Sequence, residues 1–272
     1  MRTTLTPGTR GQLAWALRAE WTKLRTVGGT GWLLLGIVAL TVAVSSMTAA
    51  LTFADPCPRT GCLQDPVKIS LSGVTVGQVA VAMLAILVVS GEYTSGMIRT
   101  TLTAMPRRST VLAAKAIVVT GLVLAAGIVA VPGALAAGRL LLPGSGFTPE
   151  HGYPPLTLAD GPTLRAAAGS MLYLALVGLL SLGVGTAVRD SAAAIGSILG
   201  LLFLPLLLFV FPDPHLQKLI FRITPMNAGL AIQATRDLAA WPITPWAGLS
   251  VLAAWAGVGL LCGGLLLRHR DA

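Results

Sequence analysis

The stretch GEYTSGMIRTTLTAMPRR, Gly91 to Arg108, is polar and basic and stands between two long apolar runs. A loop that merely joins two helices needs only a few turn residues. This one has the length for a small helix of its own. Gly91 is expected to stop the preceding apolar helix, and Thr94 or Ser95 to cap a new one. Ile98 and Leu102, four apart, form an apolar edge, with Arg99, Arg107 and Arg108 turned to water or lipid headgroups. Pro106 ends the element. The plainer alternative is an amphipathic surface loop with no partner.

The apolar runs on either side follow from composition. The chain has 272 residues, 54% hydrophobic and 11% charged, with a mean hydropathy of +0.80. Soluble domains carry about 25% charged residues, so this chain cannot cover a water-facing surface of ordinary polarity. The expected class is an all-α integral membrane protein, because in a bilayer the helix satisfies its own backbone. A crossing takes about 20 apolar residues. Six runs approach that length: Trp32 to Phe53, Val74 to Ser90, Val111 to Leu142, Leu164 to Val188, Ala194 to Phe211, and Trp246 to Leu267. The second is the shortest. The third exceeds one crossing, and Pro132-Gly133 is expected to kink it. The whole of 1–272 reads as a single transmembrane domain, with 1–31 at the surface, the bundle over 32–267 and a short tail at 268–272.

The net charge of +9 does not point to nucleic acid, because no aromatic-interleaved basic patch or DNA-binding motif accompanies it. The basic residues flank the apolar runs, where they set orientation. Most of the 19 Lys and Arg, including Arg18, Lys23, Arg25, Arg99, Arg107, Arg108, Lys115 and Arg189, fall on the side of both termini, which is therefore expected to be cytoplasmic. The facing loop Pro143 to Thr163 holds Glu150 and Asp160 and no Lys or Arg. Ala, Gly, Leu and Arg usage suits a GC-rich bacterial genome, which places the protein in a plasma membrane. Leu13, Leu17, Trp21 and Leu24 recur at helical spacing among Arg18, Lys23 and Arg25. They predict an interfacial helix before the first span, the alternative being a basic tail that only fixes orientation.

Two external segments carry further expectations. Cys57 and Cys62, in DPCPRTGC, lie in a tight turn where an oxidising compartment permits a disulfide; free thiols or, less simply, a metal site are the alternatives. Pro212 to Pro245 is long and rather apolar, and Pro225 divides it. It predicts two short amphipathic helices that dip into the outer leaflet or pack on the bundle, or else an ordinary external loop.

Catalytic signals are missing. His151, His215 and His269 are isolated, with no H-E-x-x-H spacing, and there is no G-x-S-x-G elbow or phosphate-binding P-loop. The runs hold almost no ionisable groups, with Glu92 and Arg139 at their ends, which disfavours an ion-coupled transporter. Gly196…Gly200 and Gly259…Gly263 are small-x-x-x-small patterns that allow close helix approach.

Glu92, Tyr93, Gly96, Arg99, Thr101 and Leu102 spell E-Y-x-x-G-x-x-R-x-T-L. This resembles the region of ABC-2 type transporter permeases where the second span leads into a cytoplasmic coupling helix. The basic interfacial helix, the six spans and amphipathic re-entrant helices before the last span are similar to that family too. The resemblance implies a permease subunit of an ATP-driven exporter, moving an amphipathic, lipid-like, drug or peptide substrate outward. It implies two separate ATPase subunits that carry ATP and magnesium, a second permease copy, and no catalytic residue, cofactor or metal in this chain. The six matching residues would transmit motion. Glu92 would accept bonds from free amides of the next helix, Tyr93 would anchor at the interface, Gly96 would allow close approach, and Arg99 would present a cationic fork. The rival from another class is a non-transporting membrane scaffold that anchors a cytoplasmic partner.

Overall fold

A computed structural model of the chain describes residues 9–26, 28–54, 64–94, 96–97, 108–153, 155–157, 159–207 and 213–269. Cys57, Cys62, Arg99, Thr101 and Leu102 lie outside the described residues, and with them the expected disulfide and most of the coupling helix.

The apolar runs form helices, as their Ala, Leu and Val content favours. In chain order these are α1 Thr9–Thr26, α2 Gly28–Leu51, α3 Pro66–Ser70, α4 Val74–Thr94 and α5 Arg108–Leu141. They continue with α6 Gly161–Val188, α7 Ser191–Leu207, α8 Pro214–Ile223, α9 Pro225–Leu230 and α10 Pro245–His269. Five of them, α2, α4, α5, α6 and α10, are long and apolar enough to cross a membrane. The fifth run in sequence gives α7, only 17 residues over the described part. That is roughly 26 Å of helix against a hydrocarbon core of about 30 Å.

The bundle is layered around α4 and α6, the two most buried of the long helices. α2 and α5 pack on one side of them and α10 on the other. Ile37, Leu84, Val123, Tyr173, Leu182 and Leu252 meet in one continuous core. α5, at 34 residues, extends about 51 Å, so its ends project beyond a hydrocarbon layer. Pro132 sits inside α5 without ending it.

α6 and α10 pack backbone against backbone. Gly183 lies so tightly against Gly259 that a methyl group on Gly183 would overlap the Gly259 backbone. One turn on, a methyl on Gly263 would lie 2.6 Å from the Gly183 carbonyl oxygen. The Gly259…Gly263 pattern is thus spent on packing within the chain. The similar Gly196…Gly200 pattern on α7 faces open space, with nothing within 4 Å of either added methyl.

Pro225 divides the segment before α10, as the sequence suggests. α8 is amphipathic and mostly exposed, whereas Met226, Asn227, Ala228 and Gly229 of α9 are buried against α6 and α10. Buried irregular backbone needs partners, and side chains supply several. Arg165 donates to the Ala234 carbonyl at 2.6 Å, and Trp255 Nε1 donates to the Ile223 carbonyl at 2.8 Å. Two side-chain pairs add to the packing here: Gln233 Nε2 donates to Ser170 Oγ at 3.1 Å, and the Tyr173 hydroxyl donates to Gln78 across α6 and α4. Asp65 joins the segment before α4 to the segment before α10. It caps α3 through the amides of Val67 and Lys68, and it accepts from the Thr235 amide at 2.6 Å and the Thr235 hydroxyl at 2.7 Å.

Candidate functional site: a buried charge ring at the root of the 91–108 segment

α1 owes its position to two faces. Leu13, Ala16, Leu17, Glu20, Lys23 and Leu24 recur at helical spacing and turn toward the bundle, where α1 meets α5 and α2. Arg18, Thr22 and Arg25 face away, with Trp15 and Trp21 on either side of them, 67% and 50% exposed. Glu20 and Lys23 therefore sit on the inward stripe among leucines.

Two further charges meet them there. Glu92 comes from the last turn of α4, and Lys115 from the second turn of α5. The four side chains close an alternating ring. Lys23 Nζ lies 3.0 Å from Glu20 Oε1 and 2.6 Å from Glu92 Oε1. Lys115 Nζ lies 2.8 Å from Glu20 Oε2 and 2.9 Å from Glu92 Oε1. Lys115 also donates to the Val88 carbonyl at 3.2 Å. Lys115, Glu20 and Glu92 are 3%, 4% and 6% exposed.

Two carboxylates and two ammonium groups leave the ring neutral, which is what lets it be buried. Burial alone would lower the pKa of Lys23. The hydrogen bond to Glu92 and the charge of Glu20 outweigh that and hold it above its ordinary value of 10.5. The stability that Lys23 contributes is full below its unfolded pKa and is lost only as pH rises through the raised one. The ring is therefore insensitive to Lys23 titration across the neutral range.

The neighbours of Glu92 are tied as well. Ser90 accepts a hydrogen bond from Ser191 of α7 at 2.8 Å. The Tyr93 ring lies 5.2 Å from the guanidinium carbon of Arg189, within cation–π range. Arg189 ends α6 in the left-handed conformation, φ 66°, and the Asp190 carboxylate then caps α7 by accepting from the Ala193 amide at 2.7 Å. At the other end of the 91–108 segment, Arg108 donates to the Leu267 carbonyl at 2.6 Å, which satisfies the last turn of α10. Ser90, Glu92, Tyr93 and Arg108 thus each bind a different part of the bundle.

One sequence expectation is corrected here. Gly91 does not stop α4, which runs on to Thr94. Gly96, not Gly91, holds the backbone geometry that a helix end requires, at φ +70°. Within the chain, an added methyl on Gly96 would meet nothing within 4 Å. Glu92 accepts from Lys23 and Lys115, and the amides at the start of the next helix lie outside the described residues. Lys115, counted in the sequence among the basic residues on the side of the termini, is buried on the second turn of α5. Of the six residues in the matching pattern, the structure places Glu92 and Tyr93 in contact with neighbouring helices and Gly96 at the turn. Glu20, Lys115 and Arg189 were not singled out as site residues. A lone lysine in AAKAIVV carried the signal, since an ionisable group in an apolar helix calls for a partner.

Compared with protein-family models and with curated proteins, the chain matches none of them.

Proposed function

We propose that this chain is the membrane-spanning permease subunit of an ABC exporter. Residues 91–108 transmit motion between the bundle and two separate ATPase subunits. The observation that supports this reading best is the charge ring. It ties the end of α4, where the 91–108 segment begins, to α1 and α5, while Arg108 ties its far end to α10. A displacement applied to this segment reaches four helices through short polar contacts rather than through a slack loop. Within this reading the chain crosses a plasma membrane six times, with α7 completing the fifth crossing and both termini inside. A second copy completes the pathway, and Cys57 and Cys62 close a disulfide outside. Charge-poor spans suit an amphipathic, lipid-like, drug or peptide substrate.

The scaffold alternative shares the same anchored segment but predicts no transport. The deciding experiment expresses the tagged chain in its native host, isolates the ATPase that copurifies, and reconstitutes the two in vesicles. The expected result is ATP-dependent accumulation of an amphipathic dye, abolished by omitting either polypeptide. Copurification of an ATPase without nucleotide-dependent flux of any amphiphile tested would favour the scaffold.

A further inference from the structure

A groove of about 310 Å³ runs between the start of α5 and the end of α10. The two helices are antiparallel, so Arg108 opens α5 where Arg268 closes α10. From Arg108 the wall on α5 continues through Leu112, Ala113 and Ala116. From Arg268 the wall on α10 runs back through Leu265, Gly264 and Leu261. Each wall therefore starts at an arginine and stays apolar for about 12 Å of helix. Small residues leave the space open. The nearest atom to a methyl added at Gly264 is Leu112 Cδ2, at 3.4 Å, an ordinary packing distance. Leu261 and Leu265 are exposed, so the groove opens sideways, where lipid chains lie around a membrane helix.

The charges at its end are of one sign. Among the described residues that line the groove there is no carboxylate. Arg108 donates to the carbonyls of Leu267 and Arg268, at 2.6 and 3.4 Å, which covers the negative end of the α10 dipole. The Arg268 guanidinium is exposed and has no hydrogen bond or ion pair with a described residue. We propose that the groove holds an anionic phospholipid of the phosphatidylglycerol type. Its phosphate meets Arg268 and Arg108, and the upper part of one acyl chain lies along Leu112, Ala116 and Leu261. A guanidinium fork matches phosphate oxygens. Choline and ethanolamine lipids bring the same phosphate, but also a cationic group for which the lining has no partner. A free phosphate leaves the apolar walls unfilled. The inference rests on the apolar helices being in a bilayer and not on the transport reading, since the chain alone suffices to test it.

The test is native mass spectrometry of the full chain released from detergent with equal amounts of phosphatidylglycerol, phosphatidylcholine and phosphatidylethanolamine. The expected result is about tenfold stronger retention of phosphatidylglycerol than of either zwitterionic lipid. Arg268→Gln should lower that preference about fivefold, the worth of one basic side chain beside an anionic headgroup. A chain of net charge +9 attracts anionic lipid over its whole basic surface, so Ala113→Phe provides the second variant, at constant charge. It fills the groove from an exposed position, and should remove most of the preference with an unchanged unfolding midpoint. Excess glycerol 3-phosphate, the headgroup without chains, should not displace the bound lipid. Equal retention of the three lipids by the unmodified chain, an undiminished preference in either folded variant, or displacement by glycerol 3-phosphate would overturn the proposal.

Discussion

Replacing Lys115 with methionine should destabilise the protein by about 3–5 kcal/mol, the cost of removing one partner from a buried ion pair. Methionine fills a similar length but leaves Glu20 and Glu92, both nearly fully buried, to share Lys23 alone. The Val88 carbonyl also loses its lysine donor. The loss comes mainly from stranded charge rather than from lost packing. Adding Glu20→Gln to Lys115→Met should therefore recover part of it, so that the double variant costs at least about 1 kcal/mol less than the sum of the single ones. Denaturant unfolding in mixed micelles measures both quantities. Strict additivity would mean that the four groups do not act as one ring.

A second large effect is expected at Gly183. One methyl group there overlaps the backbone of Gly259, and neither helix can yield by turning a side chain. Gly183→Ala should force α6 and α10 apart and cost about 3 kcal/mol or more, at the upper end of overpacking effects. Gly196→Ala makes a useful contrast. The two positions read alike as small residues in apolar helices, but nothing lies within 4 Å of a methyl on Gly196. That substitution should be neutral or slightly stabilising, because alanine is the better helix former. Thermal unfolding of the two variants side by side measures the difference.

Much of the fold is legible in the sequence because it rests on local patterns. The apolar runs, the inward stripe of α1 and the division at Pro225 all depend on residues a few positions apart. The role of Gly259 and Gly263 was legible as a pattern, but their partner Gly183 was not, since it lies on another helix. The charge ring was the least legible part for the same reason. Glu20 and Lys115 are 95 residues apart in the chain, and Lys23 and Glu92 are 69 apart. No spacing rule connects them, and each taken singly reads as a topology signal or a solvated charge. Once α1 folds back on α5, Glu20, Lys115 and Glu92 become the most buried charges among the described residues. Gly96 shows the opposite case. Its presence marked a special backbone position, and its φ angle shows the left-handed geometry of a helix end.

Lys23 offers the most direct test of whether the ring transmits motion. It is the most exposed of the four groups, with its side chain 26% exposed, so Lys23→Met should leave the bundle folded while releasing α1 from Glu92. The measurement is ATP hydrolysis by the copurifying ATPase, with and without amphiphile, at matched amounts of inserted protein. The account predicts that Lys23→Met retains ATPase binding but loses most of the amphiphile-stimulated component. Stimulation equal to that of the unmodified chain, in a variant shown to be folded and bound, would contradict it.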